Sequence, residues 1–321
     1  MNQEETDKLY MGRCLQLARN GVYGARPNPM VGAVIVSGNG RIIGEGYHAH
    51  CGQGHAEVNA FASVSKADEP LLHEATVYVS LEPCSHYGKT PPCADLIISK
   101  GVKRVVCGCV DPFAKVQGRG IQKLRDAGIE VTVGVLEKEC RDLNRRFITC
   151  NTLHRPYVML KWARTANDRL NRGDGRQLLI STSWTQALVH KLRSEYDCIL
   201  VGYNTIITDH PQLNVRSWAG PAPIRLVLSG KHKIPEGFRG FESIKEVTDW
   251  MNDNHYQSLL VEGGASTLQS FLDADCWDAI RVETGTISVP CGTRAPQLPK
   301  DIRLVDREIF DGNIIETYER N

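Results

Sequence analysis

A histidine, a glutamate and two cysteines between residues 55 and 93 have the types and spacing of a metal site with a base beside it. His55 and Glu57 are separated by one residue, and Cys84 and Cys93 each follow a proline. Zinc favours imidazole nitrogen and thiolate sulfur, and a catalytic zinc keeps three protein ligands and one position for water. His55, Cys84 and Cys93 would supply these ligands. Glu57 would lie near the metal without binding it, as a residue that transfers protons must.

The elements around these residues are predicted to be helices packed on a sheet. Apolar residues follow Glu57 and Cys93 at helical spacing, which places both ligand segments at helix starts. A helix N-terminus lowers the pKa of a thiol, so we expect Cys93 to favour the thiolate form. A structural zinc would instead need a fourth protein ligand, which Cys51 or His86 could supply. We interpret the whole pattern as a catalytic zinc site.

Length and charge restrict the class of protein. With 321 residues the chain should form two domains, and its 38 basic and 37 acidic side chains give a net charge of +1. This balance provides no general attraction to nucleic acid or to an anionic membrane, so we expect a small-molecule substrate. The polar N-terminus and the lack of a long apolar run predict neither a signal peptide nor a membrane span. Eleven cysteines then indicate reduced thiols and a cytoplasmic protein.

Strands alternate with helices in both halves of the chain, which predicts layered α/β sheets with helices on both faces. Residues 144–155 are polar and basic and end at Arg155-Pro156, so we take them as the junction between domains 1–147 and 148–321. In the second half, a strand at 258–261 leads into Glu262-Gly263-Gly264 and a helix. Such a turn can present backbone N–H groups to a phosphate, or it can be a tight turn with a buried glutamate. The sequence leaves both interpretations open.

Four motifs together carry a resemblance over nearly the whole chain. They are Pro27-Asn28-Pro29-Met30-Val31-Gly32, His55-Ala56-Glu57, Leu81-Glu82-Pro83-Cys84-Ser85-His86 and Lys89-Thr90-Pro91-Pro92-Cys93. The first motif, the His-x-Glu and the two Pro-Cys pairs resemble the bifunctional deaminase–reductase family of bacterial riboflavin biosynthesis. The eight residues between the two cysteines separate this family from the nucleoside and tRNA deaminases, whose cysteines are typically two apart.

The resemblance implies a cytidine-deaminase-like three-layer αβα domain followed by a dihydrofolate-reductase-like α/β domain. The first would be a zinc-dependent pyrimidine deaminase acting on a diamino-hydroxy-phosphoribosylaminopyrimidine. The second would use NADPH to reduce the ribose to a ribityl chain. A homo-oligomer, either a dimer or a tetramer, is also implied, and no residue pattern selects between them.

Site residues also follow from the resemblance. In the first domain His55, Cys84 and Cys93 correspond to zinc ligands, Glu57 to the proton shuttle, and Asn28, His48 and Lys89 to substrate contacts. In the second domain the implied substrate contacts are Arg193, Leu213, Arg216 and Glu262, and the two arginines offer a planar fork suited to phosphate. The implied NADPH contacts are Lys161, Ala163, Thr205, Asp209, Gly230, Gly264, Ala265, Ser266 and Thr267.

Three departures from the family pattern fall in the second domain. Asn167-Asp168 replaces Asp-Gly, Asp209-His210-Pro211 replaces Asp-Asp-Pro, and the stretch after Gly230 is shorter. His210 introduces an imidazole where a fixed negative charge is expected. One alternative is therefore a deaminase that carries an inactive reductase-like domain.

Two further alternatives concern the first domain. A deaminase acting on nucleic acid would require a basic groove with stacking aromatic residues, which residues 48 to 100 do not suggest. The other is a zinc-stabilised binding module without catalysis, whose second domain would merely hold a nucleotide.

Overall fold

The computed structural model describes residues 2–87, 91–112 and 117–321. The chain divides into two compact units, Met1–Leu153 and His154–Asn321. Residues 148–153, which the sequence assigned to the second domain, belong to a helix of the first unit. Among the described helices, none is both long and apolar enough to cross a membrane.

The first unit is built on a five-stranded sheet. Its strands are β1 (Gly32–Val36), β2 (Ile42–Tyr47), β3 (Thr76–Val79), β4 (Arg104–Cys107) and β5 (Glu130–Val133). They lie in the order β2-β1-β3-β4-β5. β1 is antiparallel to both of its neighbours, whereas β3, β4 and β5 run parallel. Every residue of β1 is buried, as expected for a strand covered on both faces.

Helices cover both faces of this sheet. They are α1 (Gln3–Ala18), α2 (Ala56–Ala62), α3 (Cys93–Ser99), α4 (Arg119–Asp126), α5 (Glu137–Leu143) and α6 (Arg145–Leu153). Alternate residues of β1 enter different apolar clusters. Ala33 and Ile35 pack with residues of α2 and α3, and Val34 and Val36 pack with residues of α1. The predicted three-layer αβα arrangement is therefore confirmed, and α2 and α3, which begin at the proposed ligands, share one layer.

A buried ion pair joins α1 to the sheet beneath it. The Asp7 carboxylate accepts two hydrogen bonds from the Arg104 guanidinium at 2.8 Å and one from the Tyr78 hydroxyl at 2.9 Å. The Asp7 and Arg104 side chains are only 5% and 12% exposed. Burial alone would raise the pKa of Asp7, but hydrogen bonds from Arg104, Gln3 and Tyr78 outweigh it and leave the pKa below its ordinary value.

We expect Asp7→Asn to lower the free energy of unfolding by about 3–5 kcal/mol at neutral pH, because it removes the buried counter-charge of the Arg104 guanidinium and leaves only the exposed Glu130 carboxylate, 3.2 Å from Nε. The pKa of Asp7 is depressed by folding, so this stabilisation is complete above the unfolded value of about 3.9. It is lost as the pH falls through the lower folded value, and the two proteins should converge in stability there. Urea unfolding across pH measures both effects. Glu45→Gln breaks the more exposed Arg13–Glu45 pair and should cost at most about 1 kcal/mol.

The second unit contains an eight-stranded sheet in the order β12-β13-β11-β6-β10-β7-β8-β9. Six of its strands are parallel, and β12 and β13 form an antiparallel hairpin at one edge. The strands are β6 (Tyr157–Arg164), β7 (Cys198–Gly202), β8 (Ile224–Leu228), β9 (Arg239–Phe241), β10 (Ser258–Gly263), β11 (Ala279–Thr284), β12 (Ile302–Phe310) and β13 (Asn313–Arg320). The helices are α7 (Ser183–Ser194), α8 (Tyr203–Asp209), α9 (Ile244–Asp253) and α10 (Ala265–Asp273).

The buried parallel strands of this unit agree with the apolar runs in the sequence, whereas α8 and β9 were not predicted. Helix α8 contains Asn204, Thr205, Ile206 and Ile207, and asparagine and β-branched residues favour a helix weakly. Strand β9 is three residues long, too short for a recognisable alternation. Strand β12 is a largely exposed edge strand that carries several charged side chains.

Candidate active sites

Three sequence-predicted ligands converge in the first unit. His55 is the N-cap of α2, Cys93 is the first residue of α3, and Cys84 lies in the loop after β3. The Nδ1 atom of His55 is 3.6 Å from the sulfur of Cys84 and 3.3 Å from the sulfur of Cys93. All three donor atoms lie within 4.8 Å of one another.

The donor set fits zinc. A tetrahedral zinc with bonds of about 2.3 Å to sulfur and about 2.0 Å to nitrogen has nitrogen–sulfur edges of about 3.5 Å, close to the distances observed. In the part of the chain that the structure describes, the metal-binding group contains three donors, and neither Cys51 nor His86 belongs to it. Three ligands agree with the catalytic rather than the structural type of zinc site.

The two thiols differ in their affinity for a proton. A hydrogen bond from the Cys93 thiol lowers the pKa of Cys84 to about 4, and His55 contributes to this shift. The backbone N–H of Cys93, at the start of α3, also donates to the Cys84 sulfur at 3.2 Å. The same thiol bond raises the pKa of Cys93. The sequence placed the helix-stabilised thiolate at Cys93, whereas the structure directs this helix N–H to Cys84.

Glu57 is buried beside the three ligands, in the first turn of α2. Burial raises the pKa of its carboxyl group to about 7, although a hydrogen bond from its own backbone N–H opposes the shift. A carboxyl group with a pKa near neutrality can both accept and release a proton under the same conditions. This is the property required of a proton shuttle.

Asn28 and His48, predicted as substrate contacts, are paired with each other. The Asn28 Nδ2 and His48 Nε2 atoms are 3.1 Å apart, and His48 Nδ1 lies 3.1 Å from the Gly54 carbonyl oxygen. Nδ1 must carry the hydrogen to bond that carbonyl, so Nε2 accepts from the Asn28 amide. Burial also lowers the pKa of His48, which keeps the ring neutral. His48 contacts the ring of His55 edge to face, so the pair lies beside the metal cluster. Lys89, the third predicted contact, falls outside the described residues.

Sequence reasoning assigned no role to Glu82, although it lies two residues before Cys84. The carboxylate is buried and accepts hydrogen bonds from the backbone N–H groups of Asp111, Gly118, Gly120 and Ile121 at 2.9 to 3.3 Å. It therefore caps α4 and holds it against the ligand loop. A Cβ atom on Gly120 would collide with the Pro83 carbonyl oxygen, which shows how closely the helix approaches. The position of Glu82 within the Pro-Cys motif was the available signal.

We expect Glu82→Gln to weaken zinc retention by about 10- to 100-fold, the usual effect of losing a group that orients a metal ligand. The amide can accept only on its oxygen, so its NH₂ group would face two backbone N–H donors. Zinc release to a chromogenic chelator measures the change. Glu74→Gln is the matched control, because the exposed Glu74 pairs with Lys103 on the surface. Equal zinc release from both variants would contradict this role.

In the second unit, a buried ion pair joins two predicted substrate contacts. Arg193 donates two hydrogen bonds to the Glu262 carboxylate at 2.9 and 2.8 Å, and the two side chains are 13% and 7% exposed. Burial alone would raise the pKa of Glu262, but Lys161 and Arg193 outweigh it and lower the pKa. Lys161 is buried as well, and burial lowers its pKa. These three residues form a compact charged group at the centre of the sheet.

The fork of Arg193 is therefore occupied by protein groups. Its third donor, on Nη1, binds the Asn214 carbonyl at 3.2 Å. Arg216, by contrast, is exposed, and its Nη1 donates to the side-chain oxygen of Asn214 at 3.0 Å. Leu213 lies between these arginines in the chain and is buried, with a left-handed backbone. The structure thus brings all four predicted substrate contacts of this unit to one region.

The predicted cofactor residues of β7–α8 and β10–α10 lie together. The Gly264 N–H donates to the Thr205 hydroxyl at 3.0 Å, and Thr267 packs against Gly202. Gly264 has a positive φ of 22°, and a Cβ there would lie 3.0 Å from the Thr205 oxygen. Each interpretation of this turn has partial support. Glu262 is buried and the Gly264 N–H is already bonded, as in a tight turn. No side chain caps the N-terminus of α10, as in a turn that binds a phosphate.

The other predicted cofactor residues lie on β6, α8 and α10 and just after β8, all in the second unit. Ala163 follows Lys161 by two residues on β6, so both point to the same face. Asp209 is the last residue of α8, and burial raises its pKa. Gly230 follows β8 and has a positive φ of 53°. Ala265 and Ser266 open α10.

The departures at Asn167 and His210 are accommodated locally. Asn167 binds the Val289 backbone twice, donating to its carbonyl at 2.7 Å and accepting from its N–H at 3.2 Å. Asp168 has a φ of 60°, a conformation that glycine adopts most easily, and aspartate is among the residues that tolerate it. His210 forms the left-handed C-cap of α8 and is exposed.

Comparisons with known proteins agree in both units. The family model of the cytidine and deoxycytidylate deaminase zinc-binding region matches residues 4–109, and that of the RibD C-terminal domain matches residues 156–289. The riboflavin biosynthesis protein RibD of Aquifex aeolicus is 38% identical over 313 residues, which cover 87% of this chain and 86% of that protein. The RibD protein of Bacillus amyloliquefaciens is 34% identical over 330 residues, covering 91% and 87%.

Solved structures show the same architecture along the whole chain. A Thermotoga maritima structure described as a diaminohydroxyphosphoribosylaminopyrimidine deaminase/5-amino-6-(5-phosphoribosylamino)uracil reductase has a TM-score of 0.91 and 33% identity, covering 100% of both chains. Acinetobacter baumannii RibD, form 2, has a TM-score of 0.88 and 29% identity, also over 100% of both chains.

Proposed function

Because the chain belongs to the RibD family of riboflavin biosynthesis proteins, we propose that its two units catalyse successive steps on one phosphoribosylated pyrimidine. The protein is a bifunctional enzyme with a zinc-dependent deaminase domain and an NADPH-dependent reductase domain. The first step removes an amino group from the diaminopyrimidine ring, and the second reduces the ribose to a ribityl chain. The observation that carries the proposal is the three-donor cluster of His55, Cys84 and Cys93 with the buried Glu57 beside it.

In the deaminase site we assign zinc to His55 Nδ1 and the sulfurs of Cys84 and Cys93. Bound there, zinc lowers the pKa of a water molecule and so supplies the nucleophile. Glu57 accepts a proton as the amine-bearing ring carbon is attacked, and it returns that proton to the departing amino group. Its burial and its pKa near 7 support this two-way transfer. Asn28, oriented by His48, contacts the substrate, and Lys89 remains a proposed contact.

In the reductase site NADPH supplies the hydride, and the protein orients the two reactants. We assign the cofactor to Lys161, Ala163, Thr205, Asp209, Gly230 and the segment Gly264 to Thr267. Glu262 and Leu213 contact the substrate. Because three of the five N–H donors of Arg193 are bonded to Glu262 and Asn214, we assign the sugar phosphate to the exposed Arg216 and infer that Arg193 holds Glu262.

The proposal includes a homo-oligomer, a dimer or a tetramer, as the family resemblance implies. It also includes a cytoplasmic location, supported by the eleven cysteines, which form no disulfide among the described residues. A deaminase without reductase activity is less well supported, because Asn167 and Asp168 are accommodated in the fold. A deaminase acting on nucleic acid is less well supported because the relatives act in riboflavin biosynthesis.

Separate assays of the two steps test the proposal. The zinc-loaded protein should release ammonia from the phosphoribosylated diaminopyrimidine without NADPH, and it should oxidise NADPH only with the deaminated compound. Ammonia release from cytidine or single-stranded DNA, with none from the aminopyrimidine, would contradict it.

A further inference from the structure

The side chain of Asn144, between α5 and α6, hydrogen-bonds to the backbone of Met30, a residue distant in the sequence. Its side-chain oxygen accepts from the Met30 N–H at 2.8 Å, and its amide nitrogen donates to the Met30 carbonyl at 2.9 Å. The two residues are 114 positions apart, and Asn144 is 3% exposed. One buried side chain thus satisfies both backbone groups of Met30, as a neighbouring strand would.

Met30 belongs to the loop that carries Asn28. The next residue, Val31, accepts a hydrogen bond from the His48 backbone N–H at 3.0 Å, and the His48 ring pairs with the Asn28 amide. Asn144 therefore holds the backbone two residues after Asn28, while His48 holds both Val31 and the Asn28 side chain.

We propose that Asn144 is a positioning residue for deamination, which sets the place of Asn28 through the Met30 backbone. This rests on the proposed function, in which Asn28 and His48 contact the aminopyrimidine. Asn144 lies outside both regions that the family models match, residues 4–109 and 156–289. The deaminase site thus extends beyond the zinc-binding region, into the segment that the sequence indicated as a domain junction.

Substitution of Asn144 should weaken substrate binding and leave metal binding unchanged. Without these two hydrogen bonds, the Met30 N–H and carbonyl must bond water, and the loop that carries Asn28 loses one of its attachments. A lost hydrogen bond to substrate corresponds to about a tenfold change. Among the described residues, the Asn144 side chain hydrogen-bonds to Met30 and to none of the three ligands, so zinc binding and Glu57 should be unaffected.

The test is a double-mutant cycle between Asn144→Ala and Asn28→Ala, with KM and kcat for ammonia release measured separately. Asn144→Ala should raise KM about tenfold and leave kcat, zinc content and NADPH oxidation with the deaminated compound near wild type. Because Asn144 acts through Asn28, the double variant should have the KM of Asn28→Ala alone. Asn151→Ala is the matched control, since the Asn151 side chain donates to the Phe147 carbonyl within the same helix, α6.

Asn144→Asp keeps the acceptor for the Met30 N–H and loses the donor, so it tests the clamp if the alanine variant does not fold. It should raise KM in the same direction, again without adding to Asn28→Ala. Additive effects of the two substitutions, or loss of zinc with unchanged KM, would overturn the inference. If the wild-type protein releases no ammonia from the aminopyrimidine, the proposed function fails instead, and the two failures are distinct.

Discussion

Glu57→Gln should reduce deamination by about 100- to 10,000-fold, the range expected for losing a positioned general acid and base. The amide has almost the shape of the carboxyl group and can neither accept nor return a proton at neutral pH. The wild-type carboxyl group is buried and has a pKa of about 7, so both directions of transfer are available to it. Ammonia release at saturating substrate, together with the zinc content of the purified variant, measures the effect.

Two controls separate proton transfer from folding and metal binding. Glu57→Gln should oxidise NADPH with the deaminated compound at the wild-type rate, because its only change lies in the first unit. Glu74→Gln, at an exposed position in the same unit, should leave both activities unchanged. A Glu57→Gln protein that retains zinc and deaminates at the wild-type rate would refute the assignment.

Glu262→Gln should have the opposite effect to Glu57→Gln: the protein should lose reductase activity and keep deaminase activity. The substitution leaves the buried Arg193 and Lys161 without their counter-charge, at a cost of about 3–5 kcal/mol in the stability of the second unit. Glu262 is also a proposed substrate contact, so NADPH oxidation should fall by at least about 100-fold, which corresponds to about 2.7 kcal/mol. The rate with the deaminated compound and the urea unfolding of this unit measure the two effects.

Asp278→Asn distinguishes loss of the site from loss of stability. Asp278 forms a comparable, partly buried pair with Arg155 in the same unit, at 2.7 and 2.8 Å. This variant should also be destabilised, but its folded molecules should oxidise NADPH at the wild-type rate. If Glu262→Gln and Asp278→Asn lose reductase activity equally, Glu262 serves stability rather than the reaction.

The sequence predicted those parts of the protein in which neighbours along the chain determine the structure. The three-layer arrangement follows from apolar strands such as β1, whose residues alternate between two covered faces. His55, Cys84 and Cys93 could be identified because zinc requires these donor types and because helix starts and sheet ends bring them together.

Contacts between distant backbone and side-chain groups could not be predicted in this way. Glu82 accepts four N–H groups from residues 111–121, and Asn144 binds Met30, yet neither spacing resembles a local motif. The partner of Arg193 is a similar case. A guanidinium can bind a phosphate or a buried carboxylate, and the sequence alone does not distinguish the two. Helix α8 formed despite weak local preference, since tertiary packing overrides propensity.

Mass spectrometry of the product from the phosphoribosylated diaminopyrimidine, with and without NADPH, tests the two-step account most directly. We expect one amino group to be replaced by oxygen in both samples, and two further hydrogens to be gained only where NADPH is present. An amino group lost in both samples without any gain of hydrogen would contradict the account, and would leave a deaminase joined to an inactive reductase fold.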